Sequence, residues 1–269
     1  GLFFKGTNLS PDFAYPPVHY GGWSTRWFRW YRHPASHNLV VIDGEDHINL
    51  EGGTFLRYPK YGEAVLWGAD SFAQAVYADA KEYAGVERFE RLVAMIDIDQ
   101  RESYVVDVFR VSGGNDHTMF FRGGVGTVVP EGISLSDGGE YEYDWYMRNY
   151  RTAKSGPGAG TGQSLLDFRY DGADVRTAYH PLTPGATITT CESWVDITRA
   201  KTPPVAGAGP DLWIPTVMTR RTGPESTFVS VIEPYEGDRN IVSIRRHRVT
   251  ESPAETSDVT AGDAVAIEV

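Results

Sequence analysis

The sequence predicts an all-β chain, an antiparallel multi-strand β-sandwich of stacked sheets with few or no helices. Two observations predict it. Short β-branched and aromatic runs recur along the 269 residues, each closed by Gly, Asp, Asn or Pro. No helical segments alternate with these runs, which favours antiparallel layers over a parallel sheet flanked by helices.

The elements follow in order. Leu39 to Ile42 runs straight into Asp43-Gly44, a strand ending in a turn. Arg88 to Asp97 and Ser103 to Val111 come next, separated by the polar Asp99-Gln100-Arg101-Glu102. The second closes at Gly113-Gly114-Asn115-Asp116, and Thr118 to Phe121 resumes. Ala186 to Ile197, Leu212 to Arg220, Thr227 to Tyr235 and Ile241 to Val249 read as later strands. Asp70 to Ala84 is rich in Ala, Gln, Lys and Glu, with Asp70 or Ser71 as an N-cap, and propensity alone makes it a helix. The alternation of Phe72, Gln74, Val76 and Ala78 supports a strand instead. Ala153 to Gln163 and Lys201 to Pro210 read as loops inside one β domain spanning 1–269. Residues 250–269 read as a loosely held tail, with Ala264 to Val269 as an edge strand.

Composition narrows the function. Hydrophobic residues make up 41%, enough for a sizeable core. Against 25 basic residues stand 36 acidic ones, a net charge of −11, which argues against nucleic acid and the membrane surface as partners. It argues less against an acidic glycan, whose site can be locally basic. Cys191 is the lone cysteine, so no intrachain disulfide framework exists. No apolar run reaches the roughly 18 residues of a membrane span. The chain opens on Gly1-Leu2-Phe3 without an initiator Met, as a processed or excised segment does.

The most informative stretch lies between Asp12 and Asp43, an interval with no acidic residue. It holds Arg26, Arg29 and Arg32 among Trp23, Trp27 and Trp30, with His19, His33 and His37. Arginine forks bind carboxylate or sulfate in bidentate fashion, and flat rings stack on sugars, so these six Arg and Trp residues are candidate substrate-binding groups. An alternative remains open: the aromatics plug one end of the sandwich while the arginines reach water. His37, at the mouth of the strand Leu39 to Ile42, is placed to bind a metal or move a proton. The spacing of His33, His37 and His47 matches no standard zinc motif.

The run Ser36-His37-Asn38-Leu39-Val40-Val41-Ile42-Asp43-Gly44 resembles a signature of the heparinase II/III-like polysaccharide lyases. Asn8 to Pro16, Tyr83 to Asp97, Ser103 to Val111 with Gly113, Gly114 and His117, and Phe228 to Tyr235 resemble further segments of that family in the same order. These matches reach from about residue 8 to residue 245. The resemblance implies that Phe72 to Ala80 is a strand, against its propensity. It implies the carboxy-terminal sheet portion of a secreted or periplasmic bacterial enzyme. An upstream helical toroid would complete the site, with 1–37 at the border between the two.

Such enzymes cleave uronic-acid glycans by β-elimination. A base takes the C5 proton, the neighbouring carboxylate is neutralised, and the C4–O bond breaks with acid assistance. The resemblance assigns His37 as a metal ligand and Asp12 as its companion, the metal being one divalent ion, zinc first, whose further ligands lie upstream. Catalytic Tyr and His residues cannot be assigned in this chain. Leu39 replaces the family's usual Thr. Arg122 stands where a His often follows the second hairpin, a change expected to alter substrate contacts. The alternative function is a non-catalytic carbohydrate-binding or structural module. A glycosidase would need two opposed carboxylates, and no two are paired by the sequence.

Overall fold

The computed structural model describes residues 1–12, 30–31, 33–46, 62–80, 86–138, 150–158, 160, 164–196, 211–249 and 264–269. The chain begins with β1 (Leu2–Phe4), β2 (Thr7–Ser10), a 3₁₀ turn (Pro34–Ser36), β3 (Val40–Ile42), β4 (Glu63–Ala69) and β5 (Ala73–Asp79). It continues through β6 (Arg88–Asp97), β7 (Ser103–Ser112), β8 (Asp116–Arg122), β9 (Gly126–Glu131), β10 (Ser136–Asp137) and β11 (Tyr150–Pro157). Then come β12 (Leu165–Tyr170), β13 (Val175–Pro181), β14 (Thr187–Asp196), β15 (Asp211–Thr222), β16 (Glu225–Glu236), β17 (Arg245–His247) and β18 (Ala266–Glu268).

Two large antiparallel sheets carry the fold. One has six strands in the order β10-β11-β14-β15-β8-β3, the other eight in the order β4-β5-β6-β7-β16-β13-β12-β9. Alternate residues of a strand face opposite sides, and β8 displays the consequence. Phe121 and Met119 point toward the eight-stranded sheet, where they meet Phe168, Tyr179 and Ile232, and Phe109 and Phe228, respectively. Phe120, between them, faces away and joins Trp30, Tyr31, Trp194 and Met218. The six-stranded sheet is thus packed on both faces. So is the other, where Val108, Val229 and Val231 are covered by Ile244, with Ile241, Val265 and Ile267 against it.

That second cover includes the edge strand read at Ala264 to Val269: β18 pairs with β17 from Arg245↔Glu268 to His247↔Ala266. Residues 250–263 lie outside the described set. The loop expected from Ala153 is wrong over its first half, because β11 runs to Pro157 and pairs with β14. Its Gly and Ser residues hide a strand whose partner fixes it. The loop expected from Lys201 to Pro210 lies outside the described residues.

β5 settles the conflict over 70–80 in favour of the strand, and 81–84 lie outside the described residues. Asp70 caps a turn, its carboxylate accepting the backbone N–H groups of Phe72 (2.8 Å) and Ala73 (2.7 Å). The chain then enters the sheet, with Val76 between Trp67 of β4 and Val93 of β6. Pairing on both sides outweighs a propensity difference of a few tenths of a kcal/mol per residue.

One buried histidine is expected to make the sandwich sensitive to acid. His180 on β13 is 4% exposed and neither ring nitrogen has a hydrogen-bond partner among the described residues. Burial, with Arg239 adding its charge, lowers its pKa from 6.5 to about 4. The unfolded chain therefore binds this proton more readily, so stability is lost as pH falls from the unfolded value toward the folded one. The loss reaches about 3 kcal/mol near the folded value. Urea midpoints measured between pH 7 and pH 4 should fall less steeply for His180→Leu than for the wild type. Parallel curves would contradict this assignment.

Candidate functional site

The strand β2 ends at the buried Ser10 and delivers Asp12, while the 3₁₀ turn Pro34–Ser36 delivers His37 just ahead of β3. His33 opens that turn, its Nδ1 accepting the Ala35 N–H at 3.1 Å, and Pro34 starts it with no donor to waste. Ser36 closes it, its hydroxyl donating to the carbonyls of Tyr31 and His33.

Asn38 links both sheets to the amino-terminal hairpin. Its amide nitrogen donates to Ser10 Oγ at 2.7 Å, and its side-chain oxygen accepts the Arg122 backbone N–H at 2.9 Å. Its backbone carbonyl accepts Arg91 Nη1 at 2.7 Å. Arg91 of β6 also grips Asp107 of β7 bidentately, at 2.9 and 2.7 Å.

Arg122 holds the turn from the other side. It is 2% exposed, and its guanidinium donates to the carbonyls of His37 (2.9 Å) and Ala35, to Tyr150 Oη (2.7 Å) and to Ser193 Oγ (3.3 Å). Its charge lies 5.6 Å from the Trp30 ring centre and 5.9 Å from those of Phe120 and Tyr150. Gly123 follows, where a Cβ would come within 2.4 Å of the Phe168 ring, so only glycine lets the two sheets close here. The change expected to alter substrate contacts is instead an internal clamp. Its sequence signal was the pattern Met119-Phe120-Phe121-Arg122, which puts a cation on the face of Phe120.

The clamp leaves His37 and Asp12 side by side. His37 Nδ1 is 3.0 and 3.3 Å from the two Asp12 oxygens, and Nε2 donates to the Tyr31 carbonyl at 2.8 Å. The hydrogen bond from His37, opposed by partial burial and helped by its charge and that of Arg122, lowers the Asp12 pKa. A lowered carboxyl pKa stabilises the fold above the unfolded value, and that contribution disappears as pH falls through the folded one. Asp12 is 47% exposed, so Asp12→Asn should cost less than about 1 kcal/mol in urea unfolding. A loss several-fold larger would mean that the pair holds the corner rather than being held by it.

His37 and Asp12 are two groups that could each ligate a metal, His37 only once Nδ1 is free of a proton. Nε2–H bound to a carbonyl is the arrangement that fixes a metal-binding histidine with Nδ1 turned to its ligand position, beside Asp12. Two ligands do not close a zinc site, and among the described residues no group of three His, Cys, Asp or Glu gathers around one.

The sequence-based candidates divide. Asp12 and His37 come together. Trp30 does not reach a surface: it is 1% exposed, donates Nε1–H to the Trp194 carbonyl at 3.1 Å and packs edge-on against Tyr150. Its indole belongs to the core, as does Tyr31 beside Trp194, so for these two the packing alternative holds and stacking on a sugar does not. Trp23, Arg26, Trp27, Arg29 and Arg32 lie outside the described residues, as do His19 and His47. His117 is a fully buried hairpin brace, bound to Ser226 Oγ and the Gly113 carbonyl, each at 2.8 Å.

No family model and no curated protein matches the sequence. Solved structures match the fold. Heparan sulfate lyase HepC from Pedobacter heparinus superposes with a TM-score of 0.58 at 14% identity, over 92% of this chain and 31% of its own. A heparinase III with methylated lysines gives 0.60 at 13% identity, over 99% of this chain and 34% of its own. This is a heparinase-type β fold. The chain spans about a third of the length of the lyases it matches. In this heparinase-type fold the Asp12–His37 corner sits where β2, β3 and β8 converge, tied by Asn38.

Proposed function

We propose that these residues serve as the sheet portion of a polysaccharide lyase acting on uronic-acid glycans, completed by a helical toroid of the same protein. The observation that carries this reading is the Asp12–His37 pair, held by arginines from both sheets while its own side chains remain partly exposed. Such rigid presentation suits a group that must meet a second domain with fixed geometry. In this reading His37 Nδ1 and Asp12 would hold one divalent ion, zinc by its chemistry, with ligands supplied from the helical portion. The ion would polarise a substrate or ligand oxygen. This chain's residues would orient the border and exclude water there, while proton abstraction at C5 and protonation of the C4 leaving oxygen fall to Tyr and His side chains elsewhere. The chemistry of Trp23, Arg26, Trp27, Arg29 and Arg32 fits the acidic polymer, and a secreted or periplasmic setting fits such a substrate.

The test is release of unsaturated uronate from acidic glycans. These 269 residues alone should release none, and the chain joined to its helical portion should be active and lose activity on His37→Ala. Robust release by the isolated chain would overturn the division of labour. Binding without release by the joined protein would leave a carbohydrate-binding module instead. Elemental analysis checks the metal: the isolated chain should not retain a stoichiometric ion.

A further inference from the structure

The eight-stranded sheet is wider than the six-stranded sheet packed on it, and it overhangs on the side of the Asp12–His37 corner. The narrower sheet ends at β3, whose Val40 and Ile42 rest against Phe89 of β6 and Phe109 of β7. β5 and then β4 carry the wider sheet on past that edge. Residues paired across neighbouring strands share a face. Val93 and Met95 of β6 pack against the core between the sheets. Val76 is paired with both Val93 and Trp67, and Gln74 with both Met95 and Ala69, so Trp67 and Gln74 turn the same way. Arg91 is on this face too, paired with Ala78, and reaches the carbonyl of Asn38, the residue after His37, at 2.7 Å. One continuous face thus runs from the corner out to Trp67. Ordinary strand and residue spacings put Trp67 roughly 12 Å from Arg91 along it.

Out on the overhang this face is open. Trp67 is 66% exposed, and Gln74, diagonally across from it, is exposed as well. Three features identify an occupant. The acids of these strands are segregated, because Glu63, Asp79 and Glu90 pair in one row on the opposite face. The side of β4 and β5 that carries Trp67 has no carboxylate, and Asp107 beyond it is held by the Arg91 fork, so an anionic ligand meets no repulsion there. The chemistry is that of a sugar site: a flat apolar ring to lie against a pyranose, and an amide to donate to and accept from its hydroxyls. A further β-strand is disfavoured, since the bulge between Ala64 and Leu66 distorts the outer edge of β4.

We infer that Trp67 and Gln74 form a binding subsite for one sugar residue of an acidic glycan whose neighbouring residues meet the Asp12–His37 corner. Trp67 stacks on the ring and Gln74 fixes its hydroxyls. The subsite deepens the lyase reading and rests on it for the class of glycan.

Calorimetric titration of the full chain tests this, with uronate tetrasaccharides cut from alginate and from heparan-type chains as ligands and cellotetraose as the neutral control. At least one uronate ligand should bind saturably, and cellotetraose about tenfold more weakly. Trp67→Ala should weaken uronate binding about tenfold, and Trp67→Phe, which keeps an aromatic face, should recover most of it. Gln74→Ala should lose a smaller share, and it keeps the test open should Trp67→Ala fail to fold. Equal affinities for the wild type and these alanine variants would overturn the subsite, as would an absence of uronate binding by the wild type. Cellotetraose binding as tightly as the uronates would overturn the anionic ligand. A dimer in sedimentation that Trp67→Ala dissolves would give the overhang to a second copy and overturn the glycan. The lyase reading fails separately: should the chain joined to its helical portion release no unsaturated uronate while Trp67-dependent binding persists, the subsite stands without the reaction.

Discussion

Replacing Arg122 by Met should destabilise the chain by about 3–5 kcal/mol in urea unfolding, among the largest losses for any single side chain here. The fully buried hydroxyl of Ser193 loses its donor, and so does the partly buried carbonyl of His37. Each orphaned group costs about 1–3 kcal/mol. The space left among Trp30, Phe120 and Tyr150 adds a cavity term. Arg122→Lys keeps the charge yet cannot fork to several acceptors at once, so it should recover part of the stability and not the geometry. A loss below about 1 kcal/mol for Arg122→Met would mean that the 33–38 turn stands without its clamp.

Arg91→Met should cost a comparable 3–5 kcal/mol, for a different reason. Asp107 is 3% exposed, and its two oxygens are both taken by the Arg91 fork. Without that fork a carboxylate stays buried between the sheets, next to a cavity lined by Tyr179, Thr219 and Ser230. Removing both charges together, as Arg91→Met with Asp107→Leu, should restore most of the loss, because two apolar side chains pack well against Phe109 and Met119. Denaturation of the two single variants and the double variant closes the cycle. Additive losses would show that the pair carries no coupling.

The sheet architecture was legible wherever alternation was clean. Arg88 to Asp97 has the bounds its residues predict, and Ser103 to Val111 is extended only by Ser112. Ala-rich β5 was legible through its resemblance to known strands rather than through propensity, because its identity depends on pairing with β4 and β6. β11 escaped notice since a strand of Ser, Gly and Lys has no apolar period to read. In the site, Asp12 and His37 were legible as a pair, and the reason they meet was not. That reason is a set of hydrogen bonds to backbone carbonyls from Arg122 and Arg91, separated from the turn by tens of residues. Such bonds leave no mark on residue type. Trp30 was misread because an aromatic beside arginines has the same composition in a core as on a surface.

The measurement closest to the heart of the account is the exchange of histidine ring protons, followed by nitrogen-edited NMR in the wild type and in Arg122→Lys. His37 and His117 each donate a ring N–H to a carbonyl at 2.8 Å, but only His37 sits in the turn that Arg122 grips. The wild type should hold both protons against exchange, and Arg122→Lys should release that of His37 while keeping that of His117. Equal protection of His37 in the two proteins would contradict a corner built by Arg122.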